Sequence, residues 1–196
     1  PFSNGSKDEK YVSRLRSLQT SIGYLVHRFN DPTRSKCVIF VDYESSPDSV
    51  EGRNGKSIIG LAIEQMVPTQ ILDGRKNGRI LGTRDGKFVF ASIKDDTRLL
   101  ILDDCSEDLR FDSIFSMITG DFEVERKGID SFTIPSSKKP KFLITTNYVL
   151  PQLGTSYVAR QHIVEFGNYW NFLFRTKNLY PINPDLKIGK SLKRSI

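Results

Sequence analysis

The sequence is poor in the residues that build metal centres and disulfide frameworks. Its 196 residues include only two cysteines, Cys37 and Cys105, and two histidines, His27 and His162. None of them shows the short spacing of a zinc site. Both cysteines lie in or beside apolar runs typical of strands, so we predict core positions for them. The composition therefore argues against a disulfide-stapled scaffold and against a zinc module.

The sequence also lacks an apolar run long enough to span a membrane. Its polar start, residues 1–6, does not contain the apolar core of a signal peptide. We therefore expect a cytoplasmic protein with no membrane among its partners, in the host-cell cytoplasm if the source is a virus or phage. The absence of an initial Met is typical of a fragment of a longer protein.

The composition is that of a globular domain. The sequence is 38% hydrophobic and 27% charged, and its length suits one domain with a sizeable core. The net charge of +6 permits binding to a polyanion without requiring it. Apolar residues recur every three or four positions over residues 7–29, which predicts a helix that ends before Pro32. This helix either packs on the domain or bridges to an upstream one.

A possible phosphate-binding loop follows a strand-like run at residues 37–41. There the tripeptide Gly55, Lys56 and Ser57 opens a helix-like run. The unpaired N–H groups of a first helical turn favour an anion, and Gly55 allows its close approach. Lys56 can reach the β- and γ-phosphates, and Ser57 can hold Mg²⁺. Val50 stands where G-x-x-x-x-G-K-[ST] has its first glycine, so an ordinary loop stays open as an alternative.

Two further apolar runs end in polar side chains. Residues 99–102 precede Asp103 and Asp104, and residues 142–146 precede Asn147. Continuous apolar runs predict strands buried in a parallel sheet, whose carboxyl ends face a ligand crevice. Asp103 can bind the Mg²⁺ shared with the phosphates, and Asp104 can orient and deprotonate the attacking water. Asn147 can hydrogen-bond the γ-phosphate or that water if its strand lies between the first strand and the carboxylate strand. A helix-capping role for the two aspartates is the structural alternative.

The segments between these motifs are less regular. Four glycines among basic residues predict a loop or short hairpin over residues 71–86. Alternating β-formers predict a second strand over residues 87–91, and apolar spacing predicts a helix over residues 111–118.

A basic hairpin and a late arginine complete the candidate residues. Alternation between residues 119 and 134 predicts a β-hairpin with Arg126 and Lys127 near its tip, where cations can contact a nucleic-acid backbone. An exposed hairpin without this role is the alternative. Arg160, before a last strand at residues 163–166, is the cation best placed to reach phosphate, either its own or a neighbour's.

Four of these features, in this order, resemble the superfamily 3 helicases of viruses, phages and related mobile elements. The resemblance is strongest to the helicase half of poxvirus-type and phage primase-helicases, and it covers about residues 35–170. The features are Gly55-Lys56-Ser57, the strand ending in Asp103-Asp104, the turn Ile118-Thr119-Gly120-Asp121 with its basic hairpin, and the strand ending in Thr145-Thr146-Asn147.

The resemblance implies an α/β fold of the P-loop NTPase, AAA+-like type. Three layers are expected, with a central, mostly parallel five-stranded sheet flanked by helices and a β-hairpin insertion. ATP and Mg²⁺ are the implied cofactors. The implied partner is single-stranded DNA, drawn through a homo-hexameric ring whose hairpins move as ATP is hydrolysed.

The resemblance also assigns roles to residues. Arg160 becomes an arginine finger that acts on the neighbouring subunit's nucleotide, and Arg126 with Lys127 grips the DNA strand. Asp104 becomes the catalytic carboxylate and Asn147 the polar sensor. Ser57 and Asp103 serve the metal. The nucleotide-binding residues are Gly52, Arg53, Asn54, Gly55, Lys56, Ser57 and Ile58.

The predicted organisation has three parts. Residues 1–34 form a helix and linker to an upstream domain, residues 35–170 the ATPase domain, and residues 171–196 a C-terminal extension. A primase or origin-binding domain of the same polypeptide is a further expected partner. Two alternatives stay open: a small phosphotransferase of the P-loop kinase type, and a catalytically weak P-loop module that binds DNA and forms rings.

Overall fold

A parallel sheet of five strands forms the centre of the fold. The computed structural model describes residues 5–42, 54–148, 150 and 154–167. In chain order the strands are β1 (Cys37–Asp42), β2 (Thr69–Asp73), β3 (Leu99–Cys105), β4 (Phe122–Arg126), β5 (Ile129–Ile134), β6 (Lys141–Thr146) and β7 (Gln161–Phe166). The sheet has the order β2-β3-β6-β1-β7, and all neighbouring strands in it are parallel. β4 and β5 form a separate antiparallel hairpin.

A long helix precedes β1, and shorter helices and turns connect the strands that follow. The helices are α1 (Gly5–Val26), α2 (Lys56–Glu64), α3 (Gly74–Gly78), α4 (Phe115–Thr119) and α5 (Thr155–Arg160), with 3₁₀ turns at Asp85–Phe88 and Phe111–Ile114. Within the described ranges, no helix combines the length and the hydropathy that crossing a membrane requires.

The sheet is covered on both faces, which gives three layers. Alternate residues of a strand point to opposite faces, so Val38 and Phe40 of β1 pack towards α1 and α2, against Leu25 and Ile63. On the opposite face, Cys37 and Ile39 pack with residues 81–93, the 3₁₀ turn at Phe111–Ile114, α4 and the β4–β5 hairpin. Burial on both faces explains why the central strands are continuously apolar. The predicted α/β class, the three layers, the five-stranded sheet and the hairpin are confirmed.

Helix α1 is fixed at its C-terminal end by a buried lysine. The Lys141 ammonium donates to the carbonyl oxygens of Tyr24 and His27, the latter at 2.9 Å, and lies 4.2 Å from the centre of the Tyr24 ring. The Arg98 guanidinium donates to the Val26 carbonyl at 2.8 Å. Burial lowers the pKa of Lys141 to about 8. These contacts hold α1 against the amino-terminal edge of the sheet.

The sequence prediction was wrong for the second strand. Residues 87–91 contain the end of the 3₁₀ turn Asp85–Phe88 and the turn that follows it, and their apolar side chains Val89 and Phe90 are buried against the sheet face. The second strand is instead β2, which ends inside residues 71–86, the segment predicted as a loop or short hairpin, and α3 follows it directly. β2 is an edge strand with half-buried side chains, so it lacks the continuous apolar run of the central strands. The helix predicted at residues 111–118 is a 3₁₀ turn that runs into α4.

Candidate nucleotide-binding site

The polar ends of three neighbouring strands meet at the carboxyl edge of the sheet. β6 lies between β1 and β3, which is the position that the role predicted for Asn147 requires. Asp42 therefore ends β1 beside Asn147, which follows β6. Asp103 and Asp104 are among the last three residues of β3. Ligands of open parallel sheets bind outside these carboxyl ends.

Helix α2 begins at this edge with an open N-terminus. Gly55 precedes it with φ 88°, a left-handed conformation that favours glycine. No side chain caps the helix, and its first turn contains no acidic residue. Its first N–H groups and the positive end of its dipole thus face the site. Gly52 and Arg53, predicted to contribute to the same loop, lie outside the described residues.

The ammonium of Lys56 is buried at the centre of the site. Only 7% of its side chain is exposed. It donates to Asp42 Oδ1, which is also buried, and to Asn147 Oδ1 at 2.7 Å. The Asn54 amide donates to the same Asp42 oxygen at 2.7 Å. A buried cation requires such partners, because an unpaired one costs several kcal/mol. The predicted loop lysine and the predicted sensor amide are therefore in direct contact, and Asp42 is a member of the site that the sequence did not single out.

Ser57 and Asp103 form an oxygen-rich pair beside the lysine. The Ser57 hydroxyl donates to Asp103 Oδ1 at 2.8 Å, and the Thr145 hydroxyl donates to the same oxygen at 2.6 Å. No group of three or more His, Cys, Asp or Glu side chains in the described part of the chain is arranged to hold a metal by itself. One carboxylate and one hydroxyl nevertheless fit Mg²⁺, which commonly takes few protein ligands and completes its shell with phosphate oxygens and water.

The backbone at Asp104 adopts an unusual conformation. Asp104 has φ 55°, the one positive value for a residue other than glycine in the described ranges. It lies where the β3–β6 register shifts between Leu102 and Cys105, and its N–H donates to the Thr145 hydroxyl at 2.8 Å. A left-handed conformation costs an ordinary residue about 1–2 kcal/mol, so the surrounding contacts must hold it. The Asp104 carboxylate contacts helix α3, whereas that of Asp103 contacts Ser57 and Thr145.

The Asp104 carboxylate contacts an arginine that the sequence did not single out. Arg75, the second residue of α3, donates from Nε to Asp104 Oδ2 at 2.7 Å. The Asp104 carboxylate raises the pKa of the Arg75 guanidinium. Arg75 lies in the segment predicted as a loop or short hairpin, so the sequence did not indicate that it reaches the site. The position of Arg75 depends on the pairing of β2 with β3.

An apolar groove of about 520 Å³ opens beside Gly55. It lies between α1, the first turn of α2 and the end of β7. Ile58, one of the predicted nucleotide-binding residues, is 71% exposed at this groove. The main apolar side chains that line it are Leu15, Leu18, Ile58, Ile59, Val164 and Phe166. The sequence could not reveal the groove, because it depends on the docking of α1 against β7.

Arg160 lies at the amino-terminal ends of the strands, whereas Lys56 lies at their carboxyl ends. It directly precedes β7, whose residues Gln161–Phe166 pair in order with β1 residues Cys37–Asp42. At about 3.3 Å per strand residue, Arg160 lies about 20 Å from the level of Asp42. Its guanidinium donates to the Ser156 carbonyl at 3.2 Å and lies 4.9 Å from the centre of the Phe115 ring. The structure therefore does not bring Arg160 to the site of its own chain.

The two basic residues of the hairpin differ in their surroundings. Arg126 donates to the carbonyl oxygens of Ala91 and Ile93, at 3.3 and 2.9 Å, and stacks 4.6 Å from the centre of the Phe132 ring. Lys127 is exposed at the turn next to Gly128. Arg126 thus helps to hold the hairpin on the domain, and Lys127 presents its charge to solvent.

A family model matches the part of the chain that contains most of this site. The family is described as a "Family of unknown function (DUF5906)", and the match covers residues 48–161, more than half of the chain. The chain belongs to the DUF5906 family. The matched span of this DUF5906 chain contains Lys56, Asp103, Asp104 and Asn147 and begins after Asp42. No curated protein matches the sequence.

Two solved structures of the JC virus helicase show limited similarity to the DUF5906 chain. One, with a thiazolopyridine-containing acetamide bound, has a TM-score of 0.44 and 14% identity, covering 74% of this chain and 42% of the helicase chain. The other has a TM-score of 0.37 and 12% identity, covering 74% of this chain and 41% of that chain. The chain thus spans less than half the length of either helicase chain. At these TM-scores the likeness carries no functional argument.

Proposed function

We propose that this chain is the ATP-hydrolysing domain of a superfamily 3-type DNA helicase or translocase. The observation that carries the proposal is the convergence of Lys56, the Ser57–Asp103 pair, Asp104 and Asn147 at one edge of a parallel sheet. These are the groups that phosphoryl transfer to water needs: a phosphate cation, a metal site, a carboxylate for water and a polar sensor. The order of the four sequence motifs is the basis for proposing a helicase rather than another kind of ATPase.

The proposed roles follow from the contacts. ATP would place its phosphates over Gly55 and the first turn of α2, where the N–H groups are uncapped. Lys56 would exchange part of its contact with Asp42 and Asn147 for phosphate oxygens. Ser57 and Asp103 would hold Mg²⁺, which neutralises charge on the phosphates when bound. Asp104 would accept the proton of the attacking water.

The apolar groove beside Gly55 supports a nucleotide over a simple phosphate. The groove adjoins the helix terminus proposed to bind phosphate, and its side chains offer apolar contact to a planar base. Its volume of about 520 Å³ falls within the range of small-molecule pockets, about 300–1,000 Å³.

The proposed translocation of DNA by an oligomer rests on residues outside the site: Arg160, and Lys127 with Arg126. Arg160 lies too far from the nucleotide site of its own chain, so it can complete only that of a neighbour in an oligomer, which we propose is a hexamer. Lys127, exposed at the hairpin turn, is the proposed contact to single-stranded DNA, and Arg126 supports the hairpin. A primase or origin-binding domain on the same polypeptide remains part of this proposal.

The test is ATP hydrolysis by the chain with and without single-stranded DNA. We expect hydrolysis that DNA stimulates and that Asp104→Asn abolishes. Asp108→Asn is the matched control, because Asp108 pairs with Arg79 of the same region at 3.1 Å and has a similar exposure, 55% against 48%. DNA-independent phosphate transfer to a small acceptor would instead indicate a kinase. Binding of nucleotide and DNA without turnover in any condition would indicate a binding module.

A further inference from the structure

A second concave surface lies at the amino-terminal ends of strands β3 and β6. It is a cavity of about 320 Å³, lined by residues 27–28 after helix α1, residues 95–98 before β3, and residues 137–139 and 141 at the start of β6. β3 and β6 pair in parallel from Leu99 and Lys141 onwards. At about 3.3 Å per strand residue, Leu99 lies about 13 Å below the level of Asp103. The cavity is therefore separate from the candidate nucleotide site.

The side chains of this cavity carry an excess of positive charge. Five of them are cationic, against the two carboxylates of Asp95 and Asp96. Among the residues that the structure describes, none of the five cations forms a salt bridge with a carboxylate. Positive charge that no carboxylate contacts attracts an anionic ligand. The five cations are Arg28, Arg98, Lys138, Lys139 and Lys141.

The two buried lysines of the cavity are held by neutral groups. Lys139 and Lys141 are each only 4% exposed. Lys139 donates to the carbonyl oxygens of Met117 and Ile118, the former at 2.9 Å, and Lys141 donates to those at the end of α1. Carbonyl oxygens satisfy the N–H groups but do not neutralise the charge. Burial lowers the pKa of Lys139 to about 8.

The cations of the cavity also repel one another. Burial, and then the charge of Arg98, lowers the pKa of Lys141 to about 8. Burial and the charges of Lys141 and Arg98 lower the pKa of His27 as well. An anion beside these groups would offset a repulsion that the free chain retains.

Arg98 has donors to spare for such an anion. Its guanidinium carries five N–H groups and donates one hydrogen bond, to the Val26 carbonyl at 2.8 Å, within the described ranges. A guanidinium meets two oxygens of a phosphate at once, which a lysine does not. Arg28 is exposed at the cavity, so its side chain can close over a ligand.

We propose that this cavity is a binding site for a small phosphorylated molecule, whose phosphate group contacts Arg98 and the two buried lysines. The volume of about 320 Å³ leaves room for an organic group beside the phosphate. Asp95 and Asp96 can accept hydrogen bonds from hydroxyls of that group. Because both lysines lie below the surface, a small ligand reaches them more easily than a polymer backbone does. The inference does not depend on the proposed ATP hydrolysis.

The experiment is an NMR titration of the isotope-labelled wild-type chain at constant pH and ionic strength. Inorganic phosphate and ribose 5-phosphate are the two probes. We expect both to shift the backbone amide signals of Thr97, Arg98 and Lys139 and to reach saturation. Ribose 5-phosphate should bind more tightly, because its sugar hydroxyls add contacts that the free ion lacks.

Two variants test the cations of the cavity. Arg98→Gln keeps a donor for the Val26 carbonyl but removes the charge, so we expect its Kd to rise about tenfold or more. Arg28→Ala removes an exposed cation with no hydrogen bond or salt bridge inside the described part of the chain. Its Kd should rise about twofold to fivefold, and it tests the site even if Arg98→Gln does not fold.

Two further variants serve as controls. Arg84→Ala removes an exposed arginine that does not line the cavity, and its Kd should equal that of the wild type. Lys56→Ala removes the cation of the proposed nucleotide site, and the Kd of the cavity should not change. If Lys56→Ala instead loses the binding that Arg98→Gln and Arg28→Ala retain, the phosphate binds at helix α2 and the cavity is not its site.

Two other results would overturn the proposal. One is the absence of saturable shifts at the cavity amides with both probes. The other comes from a competing ligand, an oligothymidylate of about eight nucleotides. If this oligonucleotide shifts the cavity amides at a lower phosphate concentration than ribose 5-phosphate does, the cavity belongs to a nucleic-acid surface and not to a small ligand.

Discussion

Removing the Lys56 ammonium should change both the stability and the activity of the chain, and the two effects can be separated. Lys56 and Asp42 are each 93% buried and directly paired. Breaking a buried pair by removing one partner costs about 3–5 kcal/mol. Asn54 still donates to Asp42 in the variant, so we expect Lys56→Ala to lose about 3 kcal/mol of the free energy of unfolding. Urea denaturation followed by circular dichroism measures this loss.

The double variant Lys56→Ala/Asp42→Asn isolates the structural part. With the carboxylate neutralised, no buried charge is left without its cation, and we expect about 2 kcal/mol of the loss to be recovered. Hydrolysis should not be recovered. Loss of a cation that stabilises the transferring phosphate lowers kcat by about 10²–10³ or more, and neutral side chains do not replace it. Phosphate release assays on both variants below their unfolding transitions measure this.

Two results would refute this reasoning, each at a different point. If Lys56→Ala is as stable as the wild type, the buried pair with Asp42 contributes nothing to the folded chain. If Lys56→Ala or the double variant hydrolyses ATP near the wild-type rate, the helix α2 terminus is not the phosphate site. Asp42→Asn alone serves as the reciprocal control, because it leaves the Lys56 ammonium with the Asn147 amide as a neutral partner.

The remaining predictions concern DNA, the oligomer and the thiols. Lys127→Ala should weaken the binding of single-stranded DNA and reduce its salt dependence by about one phosphate contact. The control variant Lys138→Ala, at another exposed lysine, should change neither. Fluorescence anisotropy at several salt concentrations measures both variants. Mixing Arg160→Ala with Lys56→Ala chains should restore part of the hydrolysis that each variant lacks alone. If the mixture hydrolyses ATP no faster than the sum of the two separate variants, Arg160 does not act on a neighbouring subunit. Burial raises the pKa of Cys105 to about 12 and also raises that of the other cysteine, so neither thiol should react with a disulfide reagent at pH 8 until the chain is unfolded.

The sequence was sufficient where function depends on strand ends and helix starts. Lys56, Ser57, Asp103 and Asn147 each stand directly beside an apolar run, so periodicity alone places them at one edge of a parallel sheet. The structure brings them within hydrogen-bonding distance in two groups, Lys56 with Asn147 and Ser57 with Asp103. The position of β6 between β1 and β3 does not follow from periodicity; it was a condition taken from the sheet of phosphate-loop proteins, and the structure meets it.

The sequence was insufficient where position depends on register or on tertiary docking. Arg75 reaches Asp104 only because β2 pairs with β3 and Gly74 packs on its backbone, and β2 has too few buried residues to stand out. Residues 87–91 alternate like a strand, but burial of Val89 and Phe90 against the sheet overrides that local preference. The groove beside Gly55 forms only when α1 packs against β7, and these two elements are far apart in the sequence.

The strand order also has a consequence for how the chain folds during synthesis. β1 is flanked in the sheet by β6 and β7, which begin at Lys141 and Gln161, more than a hundred residues later. While the ribosome makes the intervening residues, the apolar β1 segment has no strand with which to pair. Such long-range pairing slows folding and exposes apolar segments to aggregation. The interior strand β1 therefore lacks both of its partners until β6 has been made, and it lacks the second one until the edge strand β7 has been made.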